Sequence, residues 1–346
     1  SGCIVFGSTS FSLGNDFTSI HNCLIQNRSD NSSISAPQIG ISVSGAAKQD
    51  TANSSISIQG NKFNNIRKGI QVTGSANGSW NILQNHFYFN GTVTSTSLLN
   101  PISISGNDTI SAIISDNFIG GSGPFASGIM FNVSESAFNG IQLITPFHST
   151  TAIISGNTIS GFNISPAFIG IYSFNGILVS GGASEITDNI IGSMTNPNDI
   201  TFSANAELLF KAINSTSSQN IRKSIVSRNK VSNITSYGTV GSASIANTLI
   251  VYFNDDLTVD SSIVSDNIIR NFSYAGDKDL YGFLISGGKA LNSKTIVSNN
   301  VVEGISMSNT GYAAFSGLQI SSSPAIVRGN RVGQLATTNS INIATK

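Results

Sequence analysis

Charge is scarce in this chain. Of its 346 residues only 10% are Asp, Glu, Lys or Arg, against about 25% in an ordinary soluble protein. The 17 basic and 17 acidic residues cancel. A chain without net positive charge has no basic face for a phosphate backbone, so nucleic acid is not an expected partner. No run of like charge marks a tail or a membrane-surface patch. Long apolar runs are missing too. The longest, LIVYF at 249–253, is a strand's length, far short of the ~18–20 residues that span a bilayer. Helical periodicity is nearly absent. SANAELLFKAI at 203–213 has the composition of one short helix, but it is read here as an inward strand with Leu208 and Phe210 pointing in. The three histidines, His21, His86 and His148, make no metal-ligand spacing, and no metal or cofactor is expected. The two cysteines, Cys3 and Cys23, are 20 residues apart, about one short turn of a stacked fold. They fit either a disulfide in a secreted protein or two separate buried thiols. Ser1 opens the chain without a charged or apolar leader, so any signal peptide has been removed or lies outside it.

What the chain does have is repetition. IISDNFI at 113–119, IISGNTI at 153–159, IVSRNKV at 225–231, IVSDNII at 263–269 and IVSNNVV at 296–302 are copies of one phrase. Looser copies are ISIQGNKF at 56–63, WNILQNHF at 80–87, EITDNII at 185–191 and IVRGNRV near the end. The shared Asn falls at 61, 85, 117, 157, 189, 229, 267, 300 and 330. Its spacing wanders, which suits turns of constant strand geometry joined by loops of variable length. His21-Asn22-Cys23-Leu24 opens an earlier turn in a slightly different register. A second phrase, Gly-Ile-x-apolar, lies between copies, as in GIQV at 69–72, GIQL at 140–143 and GILV at 176–179. Its alternation puts both apolar residues on one face of a strand. Strands that pair only with the next turn of the same chain are parallel, and parallel connections are right-handed. The expected fold is therefore all-β: a right-handed parallel β-helix of about ten turns with variable loops. At ~4.8 Å per turn it is on the order of 45–50 Å long. The whole chain, 1–346, reads as a single such domain and as a segment of a longer protein. The repeated Asn belongs at the sharp turn, where it tolerates the left-handed conformation and hydrogen-bonds up the stack.

Three stretches, GIQVTGSANGSWNILQNHFYFNG at 69–91, ISDNFIGGSGPFASG at 114–128 and DNIIGSMTNPNDITFSA at 188–204, resemble the secreted and cell-surface β-helix proteins of the Bacteroidota. The repeat is shared with pectate-lyase-like β-helices, and the phrase N-x-I-G-G/S followed by a polar loop points to the Bacteroidota. The resemblance covers about 56–334. It implies export, commonly through the type IX secretion system, and so a secreted, extracellular or cell-surface location. Asp50-Thr51-Ala52 and Asp108-Thr109-Ile110 resemble that group's O-glycosylation signal.

Chemistry is hard to find. A glycosidase needs two carboxylates ~5–9.5 Å apart, and the densest cluster is Asp255-Asp256 with Asp260. Glycosidases of the polygalacturonase type carry N-T-D, D-D, G-H-G and R-I-K phrases on successive turns. Only the D-D is here, and the basic phrase Ile221-Arg222-Lys223 precedes it. Arg222, Lys223, Arg228 and Lys230 have no matching acidic set and read as solvated loop charges. Phe87-Tyr88-Phe89 and the group Phe162, Phe168, Tyr172 and Phe174 read as core filling, because sugar platforms favour Trp and Tyr and Trp80 is the single Trp. Eleven N-x-S/T triplets, including those at Asn90 and Asn163, follow from the composition. No catalytic, metal or cofactor residue is assigned. The expected function is a non-enzymatic structural or adhesive segment of a bacterial surface protein, forming fibres end to end or binding polysaccharide. The alternative is a polysaccharide lyase, glycoside hydrolase or carbohydrate-binding module on the same scaffold.

Overall fold

The computed structural model describes residues 2–7, 15–27, 38–44, 53–74, 78–93, 98–106, 110–132, 137–145, 151–165, 170–196, 199–203, 206–217, 223–237, 248–255, 262–276, 278–287, 294–309, 314–322, 324–333 and 342–345. These form a right-handed parallel β-helix: two ten-stranded sheets and a fourteen-stranded one run along its length. Each rung contributes the I-[IV]-S strand to the second sheet, the x-[IV] strand to the third and the Gly-Ile-x-apolar strand to the first.

The register stacks like on like. In the first sheet Ile41, Ile70, Ile102, Ile141, Ile177, Ile213, Val251 and Phe283 occupy one column, and all are buried. In the second sheet Ile82, Ile114, Ile154, Ile186, Val226, Val264 and Val297 do the same. Each such side chain contributes about 1.5–3 kcal/mol by leaving water. Between the columns phenylalanines stack: Phe63 on Phe87 at 4.6 Å, and Phe138, Phe174 and Phe210 at 4.7 and 5.2 Å. Phe87, Phe162 and Phe174 are therefore interior, as is Trp80. From Ala206 on, the 203–213 stretch is strand, part of Ala206–Ser217, with Phe210 buried. The side chains of Leu208 and Tyr172, and all of Phe168, lie outside the described residues.

The Asn ladder is complete from 61 to 330. Each Asn from 85 onward receives two bonds on its Oδ1 from the Asn of the preceding rung, one from the backbone N–H and one from Nδ2. For Asn117 onto Asn157 these are 3.0 and 2.9 Å. Nδ2 also donates to a carbonyl of the second sheet, as Asn157 does to Ile114 at 2.8 Å. Asn61 through Asn300 are fully or almost fully buried, so every polar group has to be paired at its corner.

Two expectations change. The left-handed residue is not the ladder Asn but the one before it: Gln84, Asp116, Asp188, Arg228, Asp266 and Asn299 have φ of 55–59°, and Gly60, Gly156 and Gly329 have φ of 65–66°. The turn residue faces outward, and the Asn after it returns to extended backbone with its amide inside. His21-Cys23 is also in register rather than shifted. Asn22 takes the left-handed place (φ 53°), and Cys23 takes the ladder place, its N–H donating to Asn61 Oδ1 at 2.9 Å. Cys3 and Cys23 are both free and exposed, neither bonded nor buried.

Candidate functional site

The third sheet bends a second time after its inward residue. In most rungs that corner takes two residues, and the second is left-handed: Gly161 at 76°, Asn233 at 57°, Asn271 at 52° and Gly304 at 63°. Among the described residues, two rungs depart from this most. Ten residues separate Ile119 from Met130, and eight separate Ile191 from Ile200, whereas the rung between them goes from Ile159 to Phe162 with Ser160 and Gly161 alone. The two insertions become walls and the short rung becomes the floor of a slot two strand spacings wide, about 9.6 Å between wall rungs.

Both walls leave the sheet at a glycine. Gly120 has φ 108°, and a Cβ there would meet Ser160 O at 2.0 Å. Gly192 has φ 81°, and its Cβ would meet Ser232 O at 1.9 Å. No other residue fits so close to the next rung's carbonyl. The first wall closes on itself through Ser122 and Gly123 N–H donating to Ser127 O. It is fastened down by Phe125 N–H, which donates to His86 Nδ1 at 3.0 Å. Phe125 and Ala126 are consecutive left-handed residues without being glycine, φ 60° and 51°, at a cost of about 1–2 kcal/mol each. The Phe125 ring sits edge-on to His86 and Phe118 yet remains 66% exposed. The second wall is fixed by three donors. Ser232 Oγ and Asn233 Nδ2 both bind Ser193 O, and Arg270 Nη2 donates to Met194 O at 3.2 Å.

The slot encloses about 530 Å³. Phe125 and Ile129 line it from one wall, Ser193, Met194 and Asn196 from the other, with Thr158, Ser160 and Ile190 beneath. Among the described residues its one charged lining residue is Asp199. That side chain is only 8% exposed, and its Oδ2 accepts Gly161 N–H at 2.8 Å. Burial pushes its pKa up, and the Gly161 bond opposes this in part. His86 is shifted the other way: burial, and Lys62 beside it, hold its pKa below the ordinary imidazole value.

The residues weighed from sequence fall elsewhere. Arg228 is not a free loop charge. It forms a two-point ion pair with Asp188 of the preceding rung, both contacts 2.8 Å, on the outside of the ladder corner. Lys223, Lys230 and His21 are exposed. Asp255 ends the strand Thr248–Asp255, but its side chain, and Asp256, Asp260, Arg222 and His148, lie outside the described residues. So do 50–52, 108 and 109, while Ile110 is buried. Among the described residues no three His, Cys, Asp or Glu side chains converge, and no helix is long and apolar enough to cross a membrane.

Phe125, Met194 and Asp199 were missed. A signal for them existed. NFIGG at 117–121 and NIIGS at 189–193 each lead into a loop, whereas NTISGF at 157–162 runs straight into strand. Aligning the three on the ladder Asn would have exposed the slot. No protein-family model matches the chain, and neither does any curated protein or solved structure.

Proposed function

We propose that this chain is a scaffold: a single-domain, non-enzymatic β-helical rod within a secreted or cell-surface bacterial protein, used for structure or adhesion. The observation that carries the reading is the uninterrupted ladder from Asn61 to Asn330, which devotes one side chain per rung to axial cohesion. Among the described residues Asp199 is the only carboxylate lining the slot, and glycoside hydrolysis takes a pair. The likeness of the 114–128 and 188–204 stretches to Bacteroidota β-helices supports export, by the type IX route in that group.

End-to-end association belongs to the same proposal. Val327 and Val332 hold inward columns at the last rung, and they are 52% and 46% exposed. Apolar columns and strand edges of this kind favour end-to-end pairing with a neighbouring copy. Zero net charge does not oppose it.

Electron microscopy with light scattering tests the rod. Rods of about 45–50 Å per copy, lengthening with concentration, are the expected outcome. A monodisperse monomer at high concentration contradicts the assembly. Incubation with acidic and neutral polysaccharides tests the absence of chemistry. Turnover that vanishes in an Asp255→Asn, Asp256→Asn double variant would overturn the non-enzymatic reading in favour of a hydrolase.

A further inference from the structure

We infer that the slot between the 120–129 and 192–199 insertions is a binding site for a neutral, hydroxyl-rich glycan segment, with Phe125 as its apolar platform and Asp199 as its hydrogen-bond acceptor. The inference rests on the adhesive side of the scaffold reading.

Four observations point to this ligand. First, Phe125 is an exposed aromatic ring held in a left-handed backbone, and strain kept at an exposed position marks a site more often than a packing need. Its outward column, His86, Phe118, Thr158 and Ile190, is largely apolar. The flat C–H face of a sugar ring covers such a surface. Second, Asp199 is more than nine-tenths buried and lines the slot. Gly161 N–H takes Oδ2, and no described protein group donates to Oδ1, which is left to accept from a ligand. Oδ1 is not sealed from solvent, so a sugar hydroxyl can replace water on it. Third, the other polar side chains among the described lining residues are the hydroxyls of Ser127, Thr158, Ser160 and Ser193 and the amide of Asn196. These both donate and accept, as sugar hydroxyls require. Fourth, no Lys or Arg is among the described residues that line the slot. Lys230 stands one rung beyond Ile190 in register and is not among the lining residues. An acidic glycan would therefore meet a carboxyl and no cation.

The described parts of both walls are fixed by hydrogen bonds to the sheet, at Phe125, Ser193 and Met194, so a ligand does not have to order them. The slot opens across the rod rather than along it. A chain lying through it would be gripped at one or two sugar units and leave on either side, as suits adhesion to a polymer.

Calorimetric titration of the purified chain with cellohexaose, xylohexaose, mannohexaose, hexagalacturonate and a chitosan hexamer tests the inference. At least one neutral hexamer should bind more tightly than both charged ones. Asp199→Asn keeps an oxygen for Gly161 N–H and so preserves the fold, and Phe125→Ala removes only an exposed ring. Each should weaken binding about tenfold or more, with circular-dichroism melting showing that both remain folded. Arg228→Ala, on another corner, should bind like the parent. Preference for hexagalacturonate or for chitosan overturns the inference, as does equal binding by all variants or no binding at all. None of those results disturbs the scaffold reading, which fails separately if a bound hexamer is cleaved.

Discussion

At the ladder corner Asn117, Asn157 and Asn189 stand in the same place and make the same bonds. A few residues later, at the slot corner, the same three rungs spend ten, two and eight residues. The chain is constant at one and free at the other for a physical reason. At the ladder corner a buried side chain bonds to its counterpart one rung on, so a change in any rung leaves its neighbour unpaired. At the slot corner the default turn needs only one left-handed residue, and side chains pair across it in some rungs only, as Asn271 does with Asn233, so a rung can leave through a glycine and return without breaking a continuous row. Rigidity resides in the first corner and variety in the second.

The largest break should come from the core both corners share. Ile154 is fully buried in the second sheet, and Ile154→Asp places an unpaired charge there, costing about 3–5 kcal/mol or more. Circular dichroism should show loss of β-signal across several rungs. Next comes the ladder. Asn157→Ala orphans two donors on Asn117 and the Ile114 carbonyl, for about 1–3 kcal/mol. The same change at Asn330, only part-buried and last in the row, should cost less than half as much, since water can replace the lost partner. Equal losses at the two positions in denaturant titrations would remove the argument from burial.

The slot corner should tolerate change. Phe125→Gly relieves a left-handed φ and forfeits the ring's edge contacts with His86 and Phe118. The two effects offset, and stability should stay within about 1 kcal/mol. The smallest effect is one of pH. His86 must be neutral at Nδ1 to accept Phe125 N–H, and its pKa is lowered in the fold. A depressed imidazole contributes fully above its ordinary value near ~6.5 and loses that contribution as pH falls through the lowered one. Acidification should therefore loosen the 120–129 wall while the ladder stays intact. NMR amide signals of Phe125 against those of Asn157 would read the difference.

The fold was legible because its signals are local and repeated. The Ile-Val-Ser strands, the Gly-Ile-x-apolar strands and the ladder Asn each recur in one phase, and stacking turns a weak pattern into a register. What misled was geometry within the turn. The residue before Asn varies among Gly, Gln, Asp, Arg and Asn, which looks unconstrained, yet it carries the positive φ while the invariant neighbour does not. The Arg228–Asp188 pair was hidden for a related reason: the partners are 40 residues apart in sequence and adjacent only across rungs. The slot was harder still. Asp199 and Phe125 lie in loops of unlike length, and they meet only because Ser160-Gly161 between them is short.

Residue-resolved hydrogen exchange tests the central claim most directly. If buried side-chain pairing at one corner holds the rod together, the backbone N–H groups of Asn117, Asn157, Asn189, Asn229 and Asn267, each bonded to the next Asn Oδ1 at 3.0–3.1 Å, should exchange only through global opening and be among the slowest in the chain. Thr195 and Asn196, bonded only to the Ser193 hydroxyl on an exposed wall, should exchange orders of magnitude faster. Ladder amides that exchange as quickly as those of the wall would contradict the account.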